Sequence, residues 1–129
     1  MSDAVEPFEL PVDQGALDDL RERLARTRWP DRETPEDWSQ GVPLAYAQAL
    51  CSYWRERYDW PARARALNRF PQFRTTVDGL GIHFLHVRSP HERALPLLIT
   101  HGWPGSVVEF HKVLEPLARP EAHGGDPAD

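Results

Sequence analysis

The chain reads as an α/β protein in which a helical N-terminal region precedes the opening strands and first helix of a sheet. Three observations carry this expectation. Apolar residues recur at helical spacing as far as about Arg69, and the period changes to two from Phe73. An apolar run from Leu95 then breaks into His101-Gly102-Trp103-Pro104-Gly105-Ser106 ahead of an amphipathic segment. The expected division is a helical region over 1–71 and the start of a sheet core over 72–129.

A first helix is expected from Asp13 to Arg28. Asp13 suits the N-cap, Leu17, Leu20 and Leu24 share a face, and Asp19/Arg23 and Glu22/Arg26 pair at i,i+4. Trp29-Pro30 ends it. Thr34-Pro35-Glu36-Asp37 has the composition of a helix start, and Gly41 limits it to one or two turns. From Pro43 to about Tyr58 the residues Leu44, Ala47, Leu50, Cys51, Trp54 and Tyr58 form a broad apolar stripe. Asp59-Trp60-Pro61 opens a further helix to about Arg69, stopped by Pro71.

Phe73, Thr75 and Val77 alternate, Asp78-Gly79-Leu80-Gly81 supplies turn residues, and Ile82 to Val87 follows as the second strand of an antiparallel hairpin. After a loop over Ser89 to Arg93, Leu95 to Thr100 reads as a buried strand feeding the turn. Ser106 with Glu109 forms a capping box for a helix bearing Phe110, Val113, Leu114 and Leu117, which Pro116 frays or ends early. Pro120 to Asp129 reads as a loop or disordered tail.

The corner at 101–106 is the candidate site. Ligands of open α/β sheets lie beyond the carboxyl ends of the strands, where this turn falls. Gly102 and Gly105 permit close approaches that a side chain forbids, and Pro104 restricts Trp103 before it. Such a turn can aim the Trp103 N–H at a substrate oxygen.

Composition excludes several classes of function. With 40% hydrophobic and 27% charged residues and a net charge of −5, the chain suits neither a general nucleic-acid surface nor an anionic membrane. The arginines at 21, 23, 26 and 28 are interleaved with acids and read as a solvated helix face; a second group lies at 63, 65 and 69. The lone Cys51 forms no internal disulfide, and no basic-then-apolar signal opens the chain, so a cytoplasmic location is the default expectation. No apolar stretch approaches the roughly 20 residues that span a bilayer.

Other candidates are weaker. Gly124-Gly125-Asp126 has the outline of a nucleophile turn, but no apolar strand precedes it, and Pro127 lacks the N–H that the residue after a nucleophile must lend. Asp37-Trp38 also lacks a preceding strand, and Ser106 lacks the Gly-x-Ser-x-Gly frame. His83 and His86 point to opposite faces of a strand, His91 and His123 fall in loops, and His111 has no zinc-spaced partner. No metal site is expected. His101 reads as a hydrogen-bonding residue that orients the turn, because a general base needs a nucleophile within reach.

The corner resembles the His-Gly-x-Pro motif of epoxide hydrolases with the α/β-hydrolase fold. Leu67-Asn68-Arg69-Phe70-Pro71-Gln72-Phe73, Asp78-Gly79-Leu80-Gly81-Ile82-His83-Phe84 and His86-Val87-Arg88-Ser89 are similar to the segments preceding that motif in the microsomal-type enzymes, and here to their soluble branch. The resemblance runs from about Pro7 to the end of the chain. Dehalogenases and several esterases share His-Gly-x-Pro; the upstream segments narrow the match.

The resemblance implies two-step epoxide hydrolysis. An aspartate attacks an epoxide carbon, lid tyrosines assist ring opening, and a histidine activated by an acid directs water at the resulting ester. It assigns the Trp103 backbone N–H as one oxyanion donor, with His101, Gly102, Pro104 and Gly105 supporting the motif. It implies no organic cofactor and no metal. The implied partners are a small-molecule epoxide, from aromatic or xenobiotic catabolism or detoxification, and the remainder of the catalytic domain, with a homo-oligomer also open. A nucleophile elbow followed by an acid and a histidine finds no home in these residues. The chain is therefore expected to be the front portion of such an enzyme, or a naturally short relative, and inactive alone. Its rivals are another hydrolase of the same fold, such as a dehalogenase or esterase, and a non-catalytic interaction module.

Overall fold

The computed structural model describes residues 4–126, so residues 127–129 of the expected tail, including Pro127, lie outside the described residues. The chain forms two compact units, one over residues 11–63 and one combining residues 4–10 with 64–126. This division by contact differs from the division by sequence period at 71/72. Residues 4–10 join the sheet-bearing unit because they supply one of its strands.

In the unit over 11–63, helix α1 spans Gln14–Ala25 and helix α2 spans Leu44–Glu56, and the two pack together. Asp13 caps α1 as expected, its Oδ1 accepting the Gly15 N–H at 2.9 Å. The helix stops three residues short of Arg28, where the Thr27 hydroxyl donates to the Leu24 carbonyl at 2.9 Å. The expected pairs form, Arg23 with Asp19 at 2.7 Å and Arg26 with Glu22, on an exposed face where each is worth only about 0.3–0.5 kcal/mol.

No helix forms over 34–41. The Asp37 carboxylate instead accepts the Ser39 N–H at 2.9 Å, a local turn that competes with helix formation, and Gly41 takes φ 111°. Pro43 begins α2 without a side-chain cap. Glu33 supplies one from the preceding loop, accepting the Leu44 N–H at 2.8 Å, and this bond holds its carboxyl below the usual range. The Trp38 and Tyr46 rings meet edge to face, 5.0 Å between centroids.

Helix α3 spans Trp60–Leu67, with Asp59 accepting the Ala62 N–H at 2.9 Å. Among the described residues no helix is long and apolar enough to cross a membrane.

The other unit is built on a three-stranded antiparallel sheet, β1 (Glu6–Phe8), β2 (Gln72–Val77) and β3 (Leu80–Leu85), in the order β1-β2-β3. The hairpin is as expected, with a tighter turn. Only Asp78 (φ 51°) and Gly79 (φ 82°) lie outside the ladder, and Val77 pairs with Leu80. Two residues with positive φ match the right-handed twist of the strands, so Leu80 and Gly81 join β3 instead of the turn.

Strand β1 is a correction to the sequence reading, which placed nothing there. It pairs Phe8 with Gln72 and Glu6 with Arg74. One side chain extends this pairing past the strand. The Asn68 amide accepts the Leu10 N–H at 3.0 Å and returns a bond to the Leu10 carbonyl at 3.0 Å, imitating a neighbouring backbone. The buried Gln72 donates to Asn68 Oδ1 at 2.7 Å, which leaves its Oε1 to accept from His83 Nε2 at 2.9 Å. The Arg74 guanidinium stands 4.0 Å over the Phe8 ring, whose edge meets His83 at 4.9 Å. The buried apolar residues among those described are few: Ala64, Phe70 and Ala118.

Two outcomes follow. Asn68→Ala strands both polar groups of Leu10 and should lower stability by about 1–3 kcal/mol, with early loss of amide-exchange protection at Leu10; unchanged Leu10 protection would show that the clamp holds nothing. Burial, reinforced by the Arg74 charge, lowers the His83 pKa from its ordinary 6.5. The folded chain thus binds that proton more weakly than the unfolded chain. This contribution is complete above about pH 6.5 and is lost as pH falls through the folded value. Denaturant titrations of the parent and His83→Gln should diverge over that fall, the parent being the steeper; parallel profiles would remove His83 from the pH dependence.

Candidate functional site at the 101–106 corner

The approach to the corner differs from expectation. Leu95 to Thr100 forms no strand among the described residues, and Leu95 and Leu98 are 87% and 90% exposed. A strand exists through a partner's backbone, and the described sheet offers this segment none. The apolar run fixes the segment's preference for burial without supplying its neighbour.

The turn itself is sharply defined by its carbonyl and carboxylate groups. His101 Nδ1 lies 3.1 Å from the Gly102 carbonyl oxygen. A Cβ on Gly105 would come within 2.6 Å of that same oxygen and would also strike the Glu109 carboxylate. Glycine at 105 is thus required by a close approach. Gly102 is not constrained in this way, since a Cβ there would meet nothing within 4 Å. The Trp103–Pro104 peptide is cis, and the Trp103 side chain is 96% exposed. No described residue accepts a hydrogen bond from the Trp103 N–H. Trp103, Pro104, Gly105, Ser106, Val108 and Glu109 line an open groove.

The capping box forms. Ser106 Oγ accepts the Val108 N–H at 3.3 Å, and the Glu109 carboxylate accepts the Ser106 N–H at 3.2 Å. The hydroxyl is therefore engaged as a cap. The single amphipathic helix expected after it is broken into a 3-10 turn, Val107–Phe110, and helix α4, Leu114–Ala118. Pro116 explains the break. It lacks the N–H that would bond the Lys112 carbonyl in a continuous helix, and it is tolerated in the first turn of a new one. Pro116 thus restarts the helix where fraying was expected.

The remaining candidates separate. Gly124, at φ 83°, closes a 3-10 turn over Pro120–His123, and the Gly125 N–H bonds the Pro120 carbonyl at 2.9 Å, so Gly124-Gly125-Asp126 terminates a helical turn. Of the expected loop or tail, this part is ordered by a second glycine whose Cβ would press on Pro120 at 3.0 Å. His83 faces Phe8, His86 faces Phe73, and His91 bonds Glu121 at 3.0 Å, holding that carboxyl below its ordinary range. Among the described residues no three metal-binding side chains gather. The sequence reading missed the convergence of His101 and Gly105 on the Gly102 oxygen, and the Ser106–Glu109 capping box was the signal that the loop folds back there.

The two glycines are expected to separate on substitution. Gly105→Ala must displace the Gly102 carbonyl or open the capping box and should lower the melting temperature, whereas Gly102→Ala should leave it near the parental value. Equal effects in thermal denaturation would refute the close approach.

Residues 5–110 match the family model described as "Epoxide hydrolase N terminus". A Stigmatella aurantiaca protein that bears an epoxide hydrolase name is 62% identical over 125 residues, covering 97% of this chain and 28% of its own length. Rabbit (Oryctolagus cuniculus) epoxide hydrolase 1 is 35% identical over 126 residues, covering 95% of this chain and again 28% of the relative. Among solved structures, Aspergillus niger epoxide hydrolase superposes with a TM-score of 0.81 at 30% identity, over 96% of this chain and 32% of that one. Juvenile hormone epoxide hydrolase from the silkworm Bombyx mori gives 0.81 at 30% identity, over 88% of this chain and 28% of that one. The chain thus spans under a third of the length of these relatives. Since the family model takes in most of the sequence, from before β1 to the end of the 3-10 turn, the chain belongs to the epoxide hydrolase N-terminus family.

Proposed function

We propose that this chain serves as the N-terminal part of an epoxide hydrolase and supplies one oxyanion donor, the Trp103 N–H. The unclaimed N–H of Trp103, in a turn that follows an apolar segment and opens on a groove, carries this reading. In the reaction a carboxylate from the rest of the enzyme attacks an epoxide carbon, the ring C–O bond breaks, and the ring oxygen takes up a proton. Water then adds to the carbonyl carbon of the alkyl ester, whose π pair moves onto oxygen. Collapse breaks the bond between acyl carbon and alkyl oxygen; that oxygen takes up one of the two protons the water brought and leaves as the neutral diol, the other proton returns to the group that protonated the ring oxygen, and the carboxylate is restored.

The negative oxygen of the second step is where a backbone donor acts. Removing one such donor typically slows turnover by about a hundred- to a thousandfold. His101, Gly102, Pro104 and Gly105 shape the turn, and the exposed Trp103 indole forms a wall of the substrate groove, which favours epoxides with aromatic or other bulky apolar groups, as in xenobiotic breakdown. The remainder of the catalytic domain is the partner that covers Leu95, Leu97 and Leu98, and a cytoplasmic location belongs to the same reading. Neither a metal nor an organic cofactor enters the scheme.

The test is a chimera in which this chain replaces the matching segment of the Stigmatella aurantiaca relative. Both the relative and the chimera should convert styrene oxide to its diol, at rates within about tenfold of each other given the 62% identity across the exchanged segment. A relative that forms no diol, or a folded chimera that forms none while the relative does, overturns the proposal.

A further inference from the structure

We infer that His101 is a positioning residue for the oxyanion donor and acts through the peptide unit it shares with Trp103. The inference rests on the reading of the Trp103 N–H as that donor and adds the device that aims it. The argument begins with the planarity of the Gly102–Trp103 peptide. That bond is trans, so the Gly102 carbonyl oxygen and the Trp103 N–H lie in one rigid plane and point in opposite directions within it. Whatever holds the oxygen also directs the hydrogen.

Two groups fix that oxygen. His101 Nδ1 sits 3.1 Å from it, and a carbonyl can only accept, so Nδ1 carries the proton and donates. On the inner side of the loop, Gly105 leaves just enough room for the oxygen, since a Cβ there would stand 2.6 Å away. The Ser106–Glu109 capping box pins the chain immediately beyond. With its oxygen held inward by His101, the peptide plane presents the Trp103 N–H outward, where no described residue accepts it. A free turn would let the plane rotate and the donor lose its direction. The same bond leaves Nδ1 unavailable as a base.

The chimera described above gives the readout, with single-turnover kinetics separating alkylation from hydrolysis of the ester. His101→Leu should slow ester hydrolysis by about ten- to a hundredfold with alkylation unchanged, the size expected for misaiming a donor rather than deleting it. His101→Asn places an amide nitrogen near the position of Nδ1 and should recover most of the loss. His101→Gln carries its nitrogen one bond farther and should not. Parental ester hydrolysis in the folded leucine variant, or equal rescue by glutamine and asparagine, overturns the inference. Failure of the unsubstituted chimera to form diol counts instead against the functional reading. A second measurement stands apart from any substitution: nitrogen NMR of the parent chimera, in the pH range where the His101 ring carries a single proton, should find that proton on Nδ1. A proton on Nε2 overturns the inference whatever the variants do.

Discussion

Strand β2 is the piece on which the sheet-bearing unit depends, because among the described residues β1 and β3 each find their strand partner only there. Its first residue, Gln72, is also the buried node through which Asn68 and His83 are joined. A buried amide of this kind is tolerated because both ends are engaged, the nitrogen by Asn68 and the oxygen by His83. The unit has few buried apolar residues, so directional bonds of this sort carry a larger share of its definition than they would in a thick core.

The sequence was most legible where the physics is local. Asp13 as a cap, the Ser106–Glu109 box, a turn beginning at Asp78-Gly79 and the α1 ion pairs involve groups within a few residues of each other, and all are present. The misreadings have distinct causes. Strand β1 is three residues long and pairs with residues 72–74, a separation over which no periodicity signals. Residues 34–41 satisfy the composition of a helix start, but Asp37 spends its carboxylate on Ser39. The run from Leu95 was apolar enough to suggest burial, yet pairing is a property of two segments, and composition describes only one.

The corner was legible as a motif and as a capped turn, and its membership in the family follows from residues well beyond it. Its internal geometry was not legible in the same way. Gly102 and Gly105 look equivalent in the sequence, whereas the structure makes one of them a steric necessity and leaves the other in open space. That distinction depends on the Gly102 carbonyl oxygen, which folds back against residue 105 and not against residue 102. A His-Gly-x-Pro reading alone therefore locates the turn and leaves its aim undecided.

Pro7 lies in the middle of β1, on the outer border of the sheet, opposite Phe73. Proline is accommodated in a sheet only where its nitrogen is not asked for a ladder bond. In a strand of three residues the loss of one donor removes much of what another chain would need for docking alongside. This border is consequently a poor template for recruiting foreign strands, and the sheet carries there a built-in brake on edge-to-edge aggregation that needs no charge and no covering element.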